Sequence, residues 1–366
     1  MTALMKVKAW GVGGSIPAPS SEQENYDRSV RLLERFVLDI RKTAMFATTV
    51  ERGKKEDLET FIQTYLQTLS PAFVSGYPRD TTCIEIQAKD TPLIILDAGS
   101  GIRRLSQDLT KRTKLNPLNT KPEYDNQIQL FISHTHWDHI QGFPFFAQAF
   151  NPNLKIHFYA MQNPTKKLET VLAGQQQSPY FPVEWQHLPC EKEFTELTPY
   201  NRKTIDVGNV KVSWIPTDHP GGALGYRFET KGKAVAIATD HEHRDIEHPG
   251  LVNLAKDADV FFYDSQYLPV EYKGGNKNTP AGPVPRLGWG HSTYEWAIKQ
   301  AEASLEAGTK QEMTLVLVHH EPARNDFQLE QLLEQAIGYA ALNNVGTDKQ
   351  MKIELARPEQ TYTFEE

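Results

Sequence analysis

Five short apolar runs in this chain each end in a histidine or an aspartate, and that pattern limits the possible folds more than any other feature. Ile128 to Ile132 delivers Ser133-His134, Val210 to Pro216 delivers Thr217-Asp218-His219, and Val235 to Ala238 delivers Thr239-Asp240. Val260 to Tyr263 delivers Asp264, and Leu315 to Val318 delivers His319-His320. Runs of this length, rich in β-branched and aromatic residues, read as buried strands. Each therefore hands a group able to bind metal or move protons to the loop that follows it.

The densest of these ends is Ser133-His134-Thr135-His136-Trp137-Asp138-His139. In extended chain His134 and His136 point the same way, because side chains alternate with period two. The turn that follows brings Asp138 and His139 round to a neighbouring position. One metal at the first pair and a second at the last pair is the expected arrangement.

Composition bounds the rest. With 366 residues, 39% of them hydrophobic, the chain can bury a large core, whether as several domains or as one large two-sheet fold. A net charge of -7 leaves no basic excess to attract a polyanion, so a nucleic-acid polymer is disfavoured as a ligand. Cys83 and Cys190 are too few for a disulfide framework or a thiolate zinc site, which suits a reducing compartment. Met1 to Ser20 lacks the apolar core of a signal peptide, and no stretch approaches the ~18 apolar residues of a spanning helix. A cytoplasmic location without membrane contact is expected.

Elsewhere, Lys6 to Val12 reads as a strand running into the glycine-rich turn Gly11 to Pro17, which lacks the Lys-Ser/Thr of a phosphate loop. Residues 21–69 read as a helical hairpin, with Val30, Leu33, Val37 and Ile40 on one face and Leu58, Phe61, Ile62, Tyr65 and Leu69 on another. Surface packing, a lid and a dimer contact are all open roles for it. Thr82 to Gln87 and Leu93 to Leu96 read as strands, the second ending at Asp97, which either bonds turn amides or supports the metal loop from outside. Gly142 to Phe150 is expected to be helical, Lys155 to Tyr159 a strand and Leu168 to Leu172 a short helix. The loop Lys273 to Leu287 is long enough to be mobile and precedes Gly288-Trp289-Gly290-His291-Ser292-Thr293, where Ser292 or Thr293 can cap a helix starting near Tyr294.

The order His134-x-His136-x-Asp138-His139, then His219, Asp240 and a late strand-end histidine resembles the metallo-β-lactamase superfamily over nearly the whole chain outside the helical insertion. Asp138 together with Gly290 to Thr293 is similar to the phosphodiesterase branch that includes ribonuclease Z. Ala238-Thr239-Asp240, Asp264-Ser265-Gln266-Tyr267, Gly288-Trp289-Gly290-His291 and His319-His320-Glu321-Pro322 look like bacterial and phage enzymes that open cyclic nucleotides. The resemblance implies an α/β fold, a four-layer αββα sandwich, formed as one hydrolase domain over residues 1–366 with the helical insertion at 21–69.

It also implies a two-metal site. His134, His136 and His219 hold one ion and Asp138, His139 and His319 the other, with Asp240 bridging them. His319 and His320 are adjacent and only one can point inward, and the family pattern favours His319. Two departures stand out: Asp240 is followed by His241, where relatives commonly carry Thr, with His243 close behind, and residues 21–69 lie where relatives are expected to have a short loop before the Thr82-Cys83 strand.

Imidazole and carboxylate ligands without thiolate suit Zn²⁺ first and Mn²⁺ second. Two such ions, ~3.5 to 4 Å apart, lower the pKa of a bridging water and neutralise phosphoryl oxygens. They do not protonate a leaving alkoxide. His291 is the candidate general acid, a role worth ~10² to 10⁴ in rate, with Asp264 orienting it and Asp138 the remaining catalytic candidate. The expected substrate is a small diester, a 3′,5′-cyclic nucleotide, with Tyr180, Phe181, Tyr267 or Trp289 available to stack on a base. A ribonuclease Z-like tRNA 3′ endonuclease is the first alternative, but the basic Gly/Pro-rich arm it needs is not evident. A lactone, thioester or β-lactam hydrolase is the second. A homodimer is expected, as in relatives of this type.

Overall fold

The computed structural model of the chain describes residues 3–42, 55–115, 126–163, 165–198, 204–275, 282–343, 345 and 349–365. Two seven-stranded sheets pack face to face. In order across the first lie β14 (Thr361–Glu365), β1 (Ala3–Gly11), β2 (Cys83–Ala88), β3 (Leu93–Leu96), β4 (Gln127–Ile132), β5 (Lys155–Met161) and β6 (Glu191–Leu197). The second runs β13 (Gln350–Leu355), β12 (Glu312–Val318), β11 (Val260–Asp264), β10 (Lys233–Ala238), β9 (Ala223–Thr230), β8 (Val210–Thr217) and β7 (Ile205–Val207).

Both faces of the central strands are covered, which is why they read as nearly continuous apolar runs. In β3, Ile94 and Leu96 face the inter-sheet core with Phe131, Tyr226, Phe228, Ile237, Phe262 and Val316. Leu93 and Ile95 face the opposite way, toward Ile102, Leu105 and Leu109 of helix α3 (Gly101–Leu115), in a cluster that also takes Leu172 of helix α5 (Leu168–Gln175). On the outer face of the second sheet, Phe261, Tyr263, Leu315 and Leu317 pack against helices α6 (Pro249–Ala255), α7 (Tyr294–Ala307) and α8 (Asp326–Leu342). The layers are thus α, β, β and α, as expected.

Strand direction explains where the polar ends go. β10, β11, β12 and β13 are parallel, so Asp240, Asp264 and His319 emerge along one edge. β8 pairs antiparallel with β9, and β9 with β10, so β8 runs in the β10 direction and delivers His219 to the same edge. In the first sheet β4 is parallel to β3 and β5 and leads through Ser133 to His134. Ligand sites in such sheets lie outside the carboxyl ends of the strands.

Several local expectations change. Phe143–Phe145 and Ala147–Phe150 are two 3₁₀ turns, not an α-helix, with Phe143, Phe146 and Ala149 buried every third residue and Pro144 at the start of the first. The hairpin helices are α1 (Glu22–Lys42) and α2 (Lys55–Gln67), and their connection lies outside the described residues. No residue of α1 is buried, and Leu33, expected on a packing face, is 63% exposed. The helix is held instead by polar ties, Arg28 to Asp326 at 2.5 Å and Glu24 to Arg79 at 3.2 Å, with a Phe36–Tyr65 ring contact to α2. Thr293 is the N-cap residue of α7 but makes no side-chain capping bond. Residues 276–281 of the expected mobile loop lie outside the described residues. No helix among the described residues is long and apolar enough to cross a membrane.

Candidate metal centre

The strand ends converge. His134, His136, His219 and Asp240 form one group and Asp138, His139, Asp240 and His319 a second, each with its ligand atoms within 4.8 Å of one another. Asp240, Asp264, His291 and His319 form a third on the same criterion. His134 leaves β4 directly, while α4 (Trp137–Ile140), a single helical turn, swings Asp138 and His139 inward. His136 stays on the exposed side, its Nδ1 2.9 Å from His219 Nε2.

Asp240 sits at the middle. Its Oδ2 lies 3.5 Å from His134 Nε2, 3.3 Å from His139 Nε2 and 3.8 Å from His219 Nε2, and its Oδ1 is 3.1 Å from His319 Nε2. Among the described residues His134 Nε2 and His139 Nε2 are buried and have no hydrogen-bond partner. A buried, unpaired polar atom is costly. Two nitrogen or oxygen ligands of a tetrahedral ion, each ~2.0 to 2.1 Å from it, lie roughly 3.3 Å apart, close to these separations. The donor set therefore fits divalent ions.

The electrostatics agree. Burial disfavours charge on His139, but the Asp240, Asp138 and Asp97 carboxylates outweigh it and hold the imidazole well above its ordinary value. His319, also opposed by burial, is raised to about 9 by Asp240 and Asp138. Burial works against Asp138 and Asp240 too, yet the facing imidazoles hold both carboxyls below the usual range. Burial and then the neighbouring imidazoles push His134 well below. The pocket is built to gather positive charge between its carboxylates.

A surrounding set of contacts orients the ligands. Asp97 accepts from Ser133 N at 2.7 Å and from Ser133 Oγ at 2.8 Å, and its Oδ2 lies 2.7 Å from His139 Nδ1. Asp97 thus holds both Ser133 and His139 of the loop after β4. Gln266 Oε1 lies 3.0 Å from His319 Nδ1, and Gln266 Nε2 donates to Glu321 at 2.9 Å. Ser15 N donates to Asp138 Oδ2 at 2.9 Å, and a Cβ on Gly14 would meet the His319 ring at 2.5 Å, so the glycine-rich turn packs onto the site. Thr239 Oγ1 donates to Asp240 Oδ1 at 2.8 Å.

The remaining candidates separate cleanly. His320 turns away and its Nε2 meets the Ala356 carbonyl at 2.8 Å, leaving His319 in the cluster. His241 Nδ1 accepts from Asp218 N at 3.2 Å, and His243 Nδ1 lies 3.0 Å from Ser292 Oγ, so neither joins the groups above. His291 Nδ1 lies 2.8 Å from Asp264 Oδ2, its ring stacked on His319 at 4.6 Å.

Of the stacking candidates, Tyr267 is 2% exposed and belongs to the core, and Phe181 packs on Phe145 at 5.6 Å. Trp289 is 51% exposed, with the Arg286 guanidinium 4.3 Å from its ring centre. Trp137, between two of the clustered residues, is 76% exposed and was not singled out from sequence. Ser133, Gln266, Gly290 and Glu242 were likewise assigned no role, because each acts through a residue far away in the chain. A cavity of about 570 Å³ beside Pro17, Arg103 and Phe145 contains none of the clustered residues.

The family model described as "Beta-lactamase superfamily domain" matches residues 93–320. No curated protein matches the chain. Three solved structures share the fold from end to end. The metallo-beta-lactamase fold protein YhfI from Bacillus subtilis is 13% identical with TM-score 0.55, over 99% of this chain and 100% of that one. Human tRNase Z, short form, is 14% identical with TM-score 0.54, over 99% and 100%. Unliganded yeast PDE1 is 12% identical with TM-score 0.57, over 100% of both chains.

Proposed function

We infer the function from one premise, that the chain belongs to the beta-lactamase superfamily: it is a two-metal phosphodiesterase whose substrate is a 3′,5′-cyclic nucleotide. His134, His136, His219 and Asp240 hold one divalent ion, and Asp138, His139, His319 and Asp240 the other, zinc being the best match to the nitrogen and oxygen donors. When bound, the ions supply Lewis acidity, lowering the pKa of water and neutralising phosphoryl oxygens.

The observation that carries the reading is the His291–Asp264 pair at the edge of the cluster. Asp264 engages His291 Nδ1, which leaves Nε2 as the nitrogen that can give a proton to a reacting group. A cyclic nucleotide opens by expelling a ribose alkoxide, a poor leaving group that needs that proton. Asp264 is itself held by Gln266 N at 3.1 Å and Ser292 N at 3.2 Å, so the imidazole has a fixed orientation. Trp289 and Trp137 offer exposed faces for a base. A homodimer formed over the same chain is part of this reading.

The test is purified protein with Zn²⁺ or Mn²⁺ against cyclic nucleotides, bis(p-nitrophenyl) phosphate, precursor tRNA and a lactone. Cyclic-nucleotide hydrolysis is expected, falling ~10² to 10⁴-fold in His291→Ala with metal content unchanged. Cleavage of the tRNA without any cyclic nucleotide would overturn the substrate. Full turnover by His291→Ala would overturn the acid.

A further inference from the structure

His291 sits on a turn, not on a strand or helix, yet a proton donor must be held within a few tenths of an ångström of its working place. Gly288 and Gly290 have left-handed backbone, with φ of +82° and +91°, on either side of the half-exposed Trp289. A turn of this kind has little stiffness of its own.

Glu242 reaches into it. This residue, 4% exposed, lies two positions beyond Asp240. Its Oε1 accepts from Gly288 N at 2.7 Å and from the Tyr272 hydroxyl at 2.7 Å, and its Oε2 accepts from Gly290 N at 2.8 Å. Its own N–H donates to the Asp218 carbonyl at 2.7 Å, which ties it to the loop that carries His219. Gly290 is gripped on both sides. Its N–H goes to Glu242, while its carbonyl lies 2.8 Å from His219 Nδ1. A Cβ at Gly290 would stand 2.2 Å from that nitrogen, so nothing larger than glycine fits there. The next residue is His291.

We propose that Glu242 is a positioning residue for proton transfer, clamping the Gly288–Gly290 turn so that His291 is presented to the leaving group beside His219. The proposal rests on the reading of His291 as the general acid. A carboxylate suits the task because it has only acceptors, enough for all three donors. In Glu242→Gln one of the two oxygens becomes an NH₂ group facing an N–H or O–H donor, so at least one tie to the turn is lost while the side chain keeps its shape.

The test compares wild type, Glu242→Gln and His291→Ala, saturated with zinc, on two diesters. In 3′,5′-cyclic AMP the leaving group is an alkoxide that needs a proton. In bis(p-nitrophenyl) phosphate it is a nitrophenolate that leaves without one. Glu242→Gln is expected to lower kcat on the cyclic nucleotide about 10- to 100-fold and on the nitrophenyl ester less than about threefold. In the metal-free protein, hydrogen exchange of residues 286–292 is expected to quicken in the same variant.

Equal slowing on both diesters, or unchanged exchange, overturns the positioning role. If His291→Ala shows the leaving-group dependence and Glu242→Gln does not, only the Glu242 assignment falls. If His291→Ala shows none, the acid assignment falls and takes this one with it. Should Glu242→Gln fail to fold, Glu242→Asp keeps an acceptor-only head on a shorter stem, and the same selective loss is expected of it, with an equal loss again overturning the role.

Discussion

Replacing Asp97 measures how much the metal loop depends on a residue that touches no ion. In Asp97→Ala two buried N–H groups, Ser133 N and His139 Nδ1, lose their acceptor together with the Ser133 hydroxyl. Each buried donor left unpaired costs about 1–3 kcal/mol. Asp97 also has φ of +63°, a left-handed conformation that Asp and Asn accept more readily than Ala, which adds about 1 kcal/mol. The sum for Asp97→Ala is a loss of about 3–7 kcal/mol in the metal-free protein. Asp97→Asn keeps the backbone preference and one acceptor oxygen but turns an amide toward the donors, so about 1–3 kcal/mol is expected. Urea unfolding of the chelated proteins measures both values. A zinc competition titration with a chelating dye reads the second consequence, zinc affinity weakened about 10- to 100-fold in each variant because His139 loses its orientation. Asp97→Asn with wild-type stability and wild-type zinc affinity would refute the reasoning.

His319→Ala is expected to lower the bound metal per chain, read by atomic emission after dialysis. His320→Ala is expected to leave it unchanged while costing about 2–3 kcal/mol of stability through the lost bond to Ala356. Burial lowers the pKa of His243 to about 4, beneath the ordinary histidine value it regains on unfolding. Its stabilising contribution is thus complete above about pH 6.5 and is lost as the pH falls toward 4. Thermal melts of the chelated protein should therefore show a shallower acid decline in His243→Gln, and an unaltered decline would contradict this account.

The clustered residues were legible because their signal is local. A buried strand announces itself by composition, and a histidine or aspartate at its end is conspicuous, as at His134, His219, Asp240, Asp264 and His319. The helix α3 and the strand β9 went unread although each helps build the layers that hold those ends. What surrounds the ligands was hidden for a different reason. Asp97 meets His139 across 42 positions, Ser15 meets Asp138 across 123, and Gly290 meets His219 across 71. Such pairs exist only once two sheets have stacked, so residue spacing carries no trace of them. Tyr267, one of four aromatics offered for stacking on a base, is 2% exposed, its ring centre 6.0 Å from that of His291.

Asp240 belongs to all three groups of clustered side chains. A site wired this way has a single point of failure. On the proposed two-metal reading, losing His136 or His139 would subtract from one group and leave the other whole, so such a change would be graded in its effect. On that reading, losing Asp240 would remove a member from both groups, and from the group that holds the His291–Asp264 pair, in one step.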